Sequence, residues 1–294
     1  MKLLRKRSEK CIPWVLGAAA AVSAAAIIGI LALLVVFCLP LFSSGRLMEI
    51  LSMQWQPARE KFGILPMCAA SLALALLSLG LSLTLAVGIC LLLQILRNRL
   101  LARFFLALIR FMTGIPTVVY GFVSVFLLVP KLREWFSAGS GFSLLAAALV
   151  LSILLLPTIV LVIHSRMEQA DPMLRLLAET MGFTPIQHVR HILLPSISHS
   201  LIAAAVLGFG RAMGDTMISL MLAGNAPNFP DSVFVSVRTL TAHIALVVAT
   251  DSQSMAYQSI FAAGLTLFSL TGMIALLIRK SGNPQKERGF DKRL

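Results

Sequence analysis

Six stretches of this chain, 14–41, 67–96, 101–129, 142–163, 201–223 and 257–278, are apolar over lengths that a helix needs to cross a hydrocarbon core of about 30 Å. In lipid no water is available to the backbone, so each stretch has to bond its own amides and carbonyls as a helix. A soluble reading fails on composition. With 58% hydrophobic and 13% charged residues and a mean hydropathy of +0.91, a soluble domain of 294 residues would have to cover its surface with apolar side chains. The sequence therefore predicts an all-α polytopic membrane protein with six transmembrane helices.

Lysine and arginine set the orientation. Lys2, Arg5, Lys6, Arg7 and Lys10 precede the first span, Arg97, Arg99 and Arg103 surround the second loop, and Arg166, Arg175 and Arg190 lie in the fourth. Arg279, Lys280, Lys286, Arg288, Lys292 and Arg293 follow the last span, whereas the alternate loops hold only Arg46, Arg59 and Lys61, then Lys131 and Arg133, then Arg238. Both termini are expected in the cytoplasm. The net charge of +13 then reflects topology and contact with anionic headgroups of the lipid membrane, and no nucleic acid is expected as a partner. The basic N-terminus imitates a secretory signal, but its apolar run exceeds the roughly 7 to 15 residues of a signal core, so an uncleaved first span is expected. Cys11, Cys38, Cys68 and Cys90 show neither C-x-x-C nor zinc spacing and read as small apolar fillers.

Along the chain this gives a cytoplasmic tail (1–13), a first span with a periplasmic loop (14–66), a core of five spans (67–278) holding the cytoplasmic loop 164–196, and a second tail (279–294). Residues 225–255 are too polar for a span and too apolar for a solvated loop. They read as a re-entrant or short outer-face helix lining a cavity.

Three motifs carry chemistry. In the loop 164–196, a helical stretch 173–181 ends at Gly182, where a left-handed exit is possible, and Ile192, Leu194 and Pro195 lead into the fifth span. The reading is a short helix lying across the membrane face. In the third span, Gly114-Ile115-Pro116-Thr117-Val118-Val119-Tyr120-Gly121 predicts a kink or break, because Pro116 donates nothing to the helical ladder. Thr117 and Tyr120 follow the break with hydroxyls. In the fifth span, Gly208-Phe209-Gly210-Arg211-Ala212-Met213-Gly214-Asp215-Thr216-Met217 places two ionisable groups four apart, hence on one helical face, where each offsets the other's desolvation. An ion inside the bilayer costs about 2.5 to 3.5 kcal/mol on insertion scales, so the pair points to a pathway or gate.

The loop is similar to the EAA loop of bacterial ABC-importer permeases, which docks in a groove of the ATPase. Where that family carries Glu and two Ala, this chain has Leu176, Leu177 and Ala178, and its acid appears at Glu179 on roughly the same helix face. The string 114–121 resembles the Gly-Ile-Pro-Ser-Val-Val-Tyr-Gly signature of phosphate-importer permeases. The segment around Arg211 resembles their Gly-Arg-Ala-Leu-Gly-Glu-Thr-Met, with Asp215 one carbon shorter than Glu, and Val237-Arg238-Thr239-Leu240 resembles the PstC type of subunit more than the PstA type. At Arg110 the family often carries an acid; here the side chain is long enough to reach the headgroups.

The resemblance implies the type I ABC importer permease fold in a bacterial inner membrane. It also implies a PstA-like permease partner, a dimer of cytoplasmic ABC ATPases and a periplasmic phosphate-binding protein. Contact with the ATPase falls to Leu176, Ala178, Glu179, Gly182, Ile192 and Pro195. The translocation path falls to Gly114, Pro116, Thr117, Tyr120, Arg211, Asp215, Thr216 and Arg238. No cofactor is expected on this chain, since it has no G-x-x-x-x-G-K-[ST] sequence and ATP would be used by the partner subunit. His188 and His191 have no further ligand beside them for a metal. The alternatives are a permease for another oxyanion, or a membrane-embedded enzyme acting on lipid phosphates, which would need clustered acids, histidines or a nucleophile at one headgroup level.

Overall fold

Hydrophobic patterning becomes helix almost throughout the computed structural model, which describes residues 2–43, 49, 52–95, 99–136, 139–248 and 255–281. In order these are α1 (Lys2–Ser43), a small antiparallel hairpin of β1 (Trp55–Gln56) and β2 (Lys61–Phe62), α2 (Leu65–Ile95), α3 (Arg99–Thr113), α4 (Thr117–Phe136) and α5 (Leu144–Thr180). There follow α6 (Pro185–His188), a π turn (Val189–Leu193), α7 (Leu194–Ser196), α8 (Ser198–Gly214), α9 (Met217–Leu222), α10 (Leu240–Val247) and α11 (Met255–Ser281). The tail from 282 onward and the side chains of 2–13, Cys11 among them, lie outside the described residues.

Four straight helices are long and apolar enough to cross a membrane: Trp14–Leu39, Leu65–Ile95, Leu144–Ala170 and Ala256–Lys280. Two bent pairs complete six spans when each pair is taken as one. Helix α5 is the axis of the bundle. Leu151, Leu155, Ile159 and Ile163 are fully buried against α2, α8 and α9, whereas α1 is exposed along most of its length and rests on α11, with Phe37 stacked on Phe261 at 4.7 Å.

Two expectations change here, while the break expected in the third span is present: α3 and α4 meet in a corner of 98° at Gly114–Pro116. The fifth span is interrupted, since α8 stops at Gly214 and Asp215 is extended at φ −73°, ψ 123°. The stretch 173–181 is not a separate helix. It is the end of α5, which runs unbroken through Pro172 for 37 residues, about 55 Å and well beyond a hydrocarbon core of about 30 Å. The short helix set across the span direction is instead 185–196, turned 66° from α8. The segment after the fifth span does form a short helix, α10, as its mixed composition suggested.

Among the three glycines of α8 and its end, only Gly208 is pressed against neighbours. A Cβ there would sit 2.9 Å from Leu79 Cδ1 and 3.0 Å from Ile159 Cδ1. Gly210 and Gly214 border a groove of about 430 Å³ together with Leu34, Gly264 and Phe268. Gly208→Val should cost about 1 to 3 kcal/mol by overpacking and lower the thermal unfolding midpoint of the detergent-solubilised chain, while Gly210→Ala leaves it unchanged. Equal midpoints for Gly208→Val and the parent chain would contradict this packing.

Candidate functional site

The loop that follows α5 is built from a sequence of local devices. Gly182 has φ +73°, so the chain leaves α5 in the left-handed region, and the amide of Phe183 returns to the carbonyl of Ala178 at 3.0 Å. Thr184 then caps α6: its hydroxyl accepts from Gln187 N, the Gln187 side chain accepts from Thr184 N at 2.9 Å, and Pro185 fills the first turn. Ala178 and Leu193 are buried, Ile192 is half-buried, and Leu176, Gly182 and Pro195 are exposed. The side chain of Glu179 lies outside the described residues. Leu176, Met181 and Ile186 are each more than 60% exposed on a segment that projects past the apolar part of α5. Met181 and Ile186 escaped the sequence reading, although two large apolar residues in a polar loop are a signal for a covered face.

At the bend between α3 and α4, the amide of Gly114 bonds Phe111 O at 3.0 Å and Val119 N bonds Pro116 O at 3.0 Å, so each helix closes on itself. Tyr120 spans the corner, its hydroxyl donating to Met112 O at 3.1 Å. Gly114 and Pro116 are exposed and Thr117 is half-buried. Gly121 lets α4 touch α9, with Met221 Sδ 2.7 Å from where a Cβ would stand.

At the second break, Arg211 and Asp215 do not form the expected pair. The spacing argument required helix from 211 to 215, and the helix ends one residue short. Asp215 turns the other way and its Oδ2 accepts from Ile218 N at 2.9 Å in the first turn of α9. Its carbonyl takes hydroxyls from Ser219 at 3.0 Å and Thr241 at 2.9 Å, so α10 is tied to the break. Thr216 supplies the residue before α9, and its carbonyl accepts from Leu220 N and from Ser219 Oγ. Arg211 instead donates from Nη1 to Thr158 Oγ1 of α5 at 2.7 Å and is otherwise exposed. Thr158 was missed by the sequence reading; the only hint was a hydroxyl following Pro157 in an apolar run.

Arg211 lies about 20 Å along α8 from Ser198 at 1.5 Å per residue, beyond easy reach of the nearer headgroups. The structure thus brings Arg211 together with Thr158, and its charge acts on Tyr120 and Asp215. Arg238 is elsewhere. Its Nε donates to Asn225 O at 2.8 Å, bracing the loop where Gly224 and Asn225 both have positive φ. No group of three His, Cys, Asp or Glu is placed to hold a metal among the described residues.

A cap and a charge can be separated by substitution. Asp215→Asn keeps an acceptor for Ile218 N, whereas Asp215→Ala removes it and should cost about 1 kcal/mol of stability. We expect the thermal midpoint to fall for Asp215→Ala only. An equal fall for both would show that the carboxylate charge, not the cap, holds the break.

Comparison with known proteins follows this geometry. Residues 78–282 match the family described as "Binding-protein-dependent transport system inner membrane component". The chain is 31% identical over 238 residues to a probable ABC transporter permease protein, YqgH, of Bacillus subtilis, covering 80% of this chain and 77% of that protein. It is 27% identical over 249 residues to the phosphate transport system permease protein PstC of Haemophilus influenzae, covering 78% and 79%. In fold it is similar to a chain of the MetNI methionine ABC transporter in an inward-facing conformation, with a TM-score of 0.57 and 20% identity over 73% of this chain and 93% of that one.

Proposed function

The chain belongs to the family of binding-protein-dependent transport system inner membrane components, and from that premise we propose that it is the permease subunit through which an ATP-driven importer passes inorganic phosphate. The observation that carries the reading is Arg211, a guanidinium deep along α8 that is bonded to one neutral hydroxyl and open on its remaining side. A planar donor fork suits a tetrahedral oxyanion, and a single bond to Thr158 leaves further N–H groups to offer. The likeness to phosphate permeases at 114–121 and 208–217 and the named PstC relatives support phosphate as that anion.

In this reading both termini are cytoplasmic, a PstA-like subunit supplies the other half of the path, and a periplasmic phosphate-binding protein delivers the anion. Two cytoplasmic ATPase copies engage the exposed apolar residues Leu176, Met181 and Ile186 around the Gly182 turn. Closure of the ATPases on ATP moves the rigid α5 extension and the 185–196 limb, and the path turns outward; hydrolysis resets it. Gly114, Pro116, Thr117 and Tyr120 border the path at the α3–α4 corner. Asp215 and Thr216 shape it at the second break, and Arg238 braces its outer loop.

Two outcomes test the proposal. In vesicles holding the complete transporter, labelled phosphate should be taken up with ATP and resist excess sulfate or molybdate. Arg211→Gln should abolish that uptake and Arg211→Lys reduce it, with ATPase still bound. Uptake displaced equally by sulfate would reassign the anion, and full uptake in Arg211→Gln would remove the site. Separately, Gly182→Val forces a β-branched residue into the left-handed region and should weaken co-purification of the ATPase while the chain still inserts. Undiminished co-purification would locate the docking face elsewhere.

A further inference from the structure

Helix α3 has three distinct faces, and one of them closes a polar pocket that the transport reading does not use. Ile109 is buried toward α5, Phe104, Leu108 and Phe111 are exposed on a second face, and Arg103 and Arg110 are exposed on a third. A helix turned 98° from the crossing helix α4, apolar on one side and basic on another, has the build of a helix lying in the membrane interface. Its level is fixed by its neighbours. It follows the end of α2 at Ile95 and packs on α5, with Arg103 and Leu106 beside His164 and Glu168, in the last two turns before the apolar stretch of that helix ends at Ala170.

Between the three helices lies a pocket of about 380 Å³ with Leu93 and Gln94 from α2, Leu106 and Arg103 from α3, and His164 and Glu168 from α5. Arg103 makes no hydrogen bond or ion pair among the described residues. Glu168 has His164 Nδ1 at 3.6 Å, and its side chain is 66% exposed. The pocket therefore presents a guanidinium and a carboxylate that do not pair with each other, beside leucine side chains and next to the exposed apolar face of α3.

We propose that this pocket binds the headgroup of an aminophospholipid from the adjacent leaflet. Arg103 takes the phosphodiester, Gln94 donates to it, and Glu168 takes the primary ammonium, while the acyl chains follow Phe104, Leu108 and Phe111. The carboxylate disfavours a headgroup that is only anionic, and a free phosphate dianion would leave the apolar walls uncovered. A choline headgroup has no N–H for Glu168, and none of the residues around the pocket is an aromatic that could receive a quaternary ammonium. A lipid seated there joins α3, which carries the corner of the proposed path, to the part of α5 that leads to the Gly182 turn. The proposal rests on α3 lying in the interface and is independent of which anion is transported.

The test is native mass spectrometry of the full-length chain in mild detergent, titrated separately with phosphatidylethanolamine, phosphatidylglycerol and phosphatidylcholine. Phosphatidylethanolamine should be retained about threefold more than either of the others, the difference that one exposed charge contact supports. Arg103→Gln should lose retention of both phosphatidylethanolamine and phosphatidylglycerol. Glu168→Gln, a change at an exposed side chain with little structural consequence, should lose only the preference for phosphatidylethanolamine. Equal retention of the three lipids by the parent chain, or an unchanged preference in Glu168→Gln, would overturn the proposal. Displacement of bound phosphatidylethanolamine by inorganic phosphate would overturn it too, by assigning the pocket to a soluble anion.

Discussion

A helix interrupted inside an apolar medium leaves amides and carbonyls with no water to satisfy them, and the architecture of this chain is organised around that demand. At the end of α8 the carboxylate of Asp215 takes the amide of Ile218, and its carbonyl takes two hydroxyls, from Ser219 and from Thr241. Thr241 reaches the break because α10 is anchored at its own start, where Leu240 N donates to Ser71 Oγ of α2 at 2.8 Å and Thr239 caps Ala242. The segment that carries α10 is thus the part that makes a broken fifth span tolerable. At the other corner a single phenol, Tyr120, bonds Met112 O across the 98° bend.

The same solution leaves Arg211 without a carboxylate partner. A guanidinium inside a bilayer is costly unless paired or reached by water, by about 2.5 to 3.5 kcal/mol on insertion scales. Here it has only a threonine hydroxyl and an open side. An arginine held this way is stabilised further by whatever anion or water occupies that side, which is the property a transient anion site requires. Had Asp215 paired with Arg211 as their spacing suggested, the cation would have been neutralised in place and the amide of Ile218 would have lost its acceptor. Division of the two charges between structure and the proposed site follows from Gly214 ending the helix one residue before the acid.

The chain's apolar runs, the left-handed residue at Gly182 and the break at Pro116 were legible in the sequence, because hydrophobic length, glycine and proline act locally, whereas the break after Gly214 was not. The angles were not. Pro116 states that the ladder is interrupted and says nothing about whether the result is a gentle kink or a corner, which depends on Gly121 packing on Met221 and on α3 finding the surface of α5. At 173–181 the reading erred in the opposite direction: a separate short helix was expected there, yet α5 continues through Pro172 to Thr180. Thr158 was invisible because its role exists only through a contact 53 residues away in sequence. Spacing rules for charges failed at Arg211 and Asp215 because they presuppose the helix whose continuity was in question.

Taken together, Arg211 of α8 bonds Thr158 of α5 and its charge reaches Tyr120 of α4, with Thr117 one helical turn before Tyr120, and the central claim is that the space these residues border is wet. The direct test is reaction of Thr117→Cys with a small water-soluble thiol reagent, in the assembled transporter and in a background where Cys11, Cys38, Cys68 and Cys90 are replaced. The account predicts labelling in at least one of the nucleotide-free and ATP-bound states, slowed by phosphate. Absence of labelling in both states would mean that this space is sealed by lipid or packed protein, and would contradict the account.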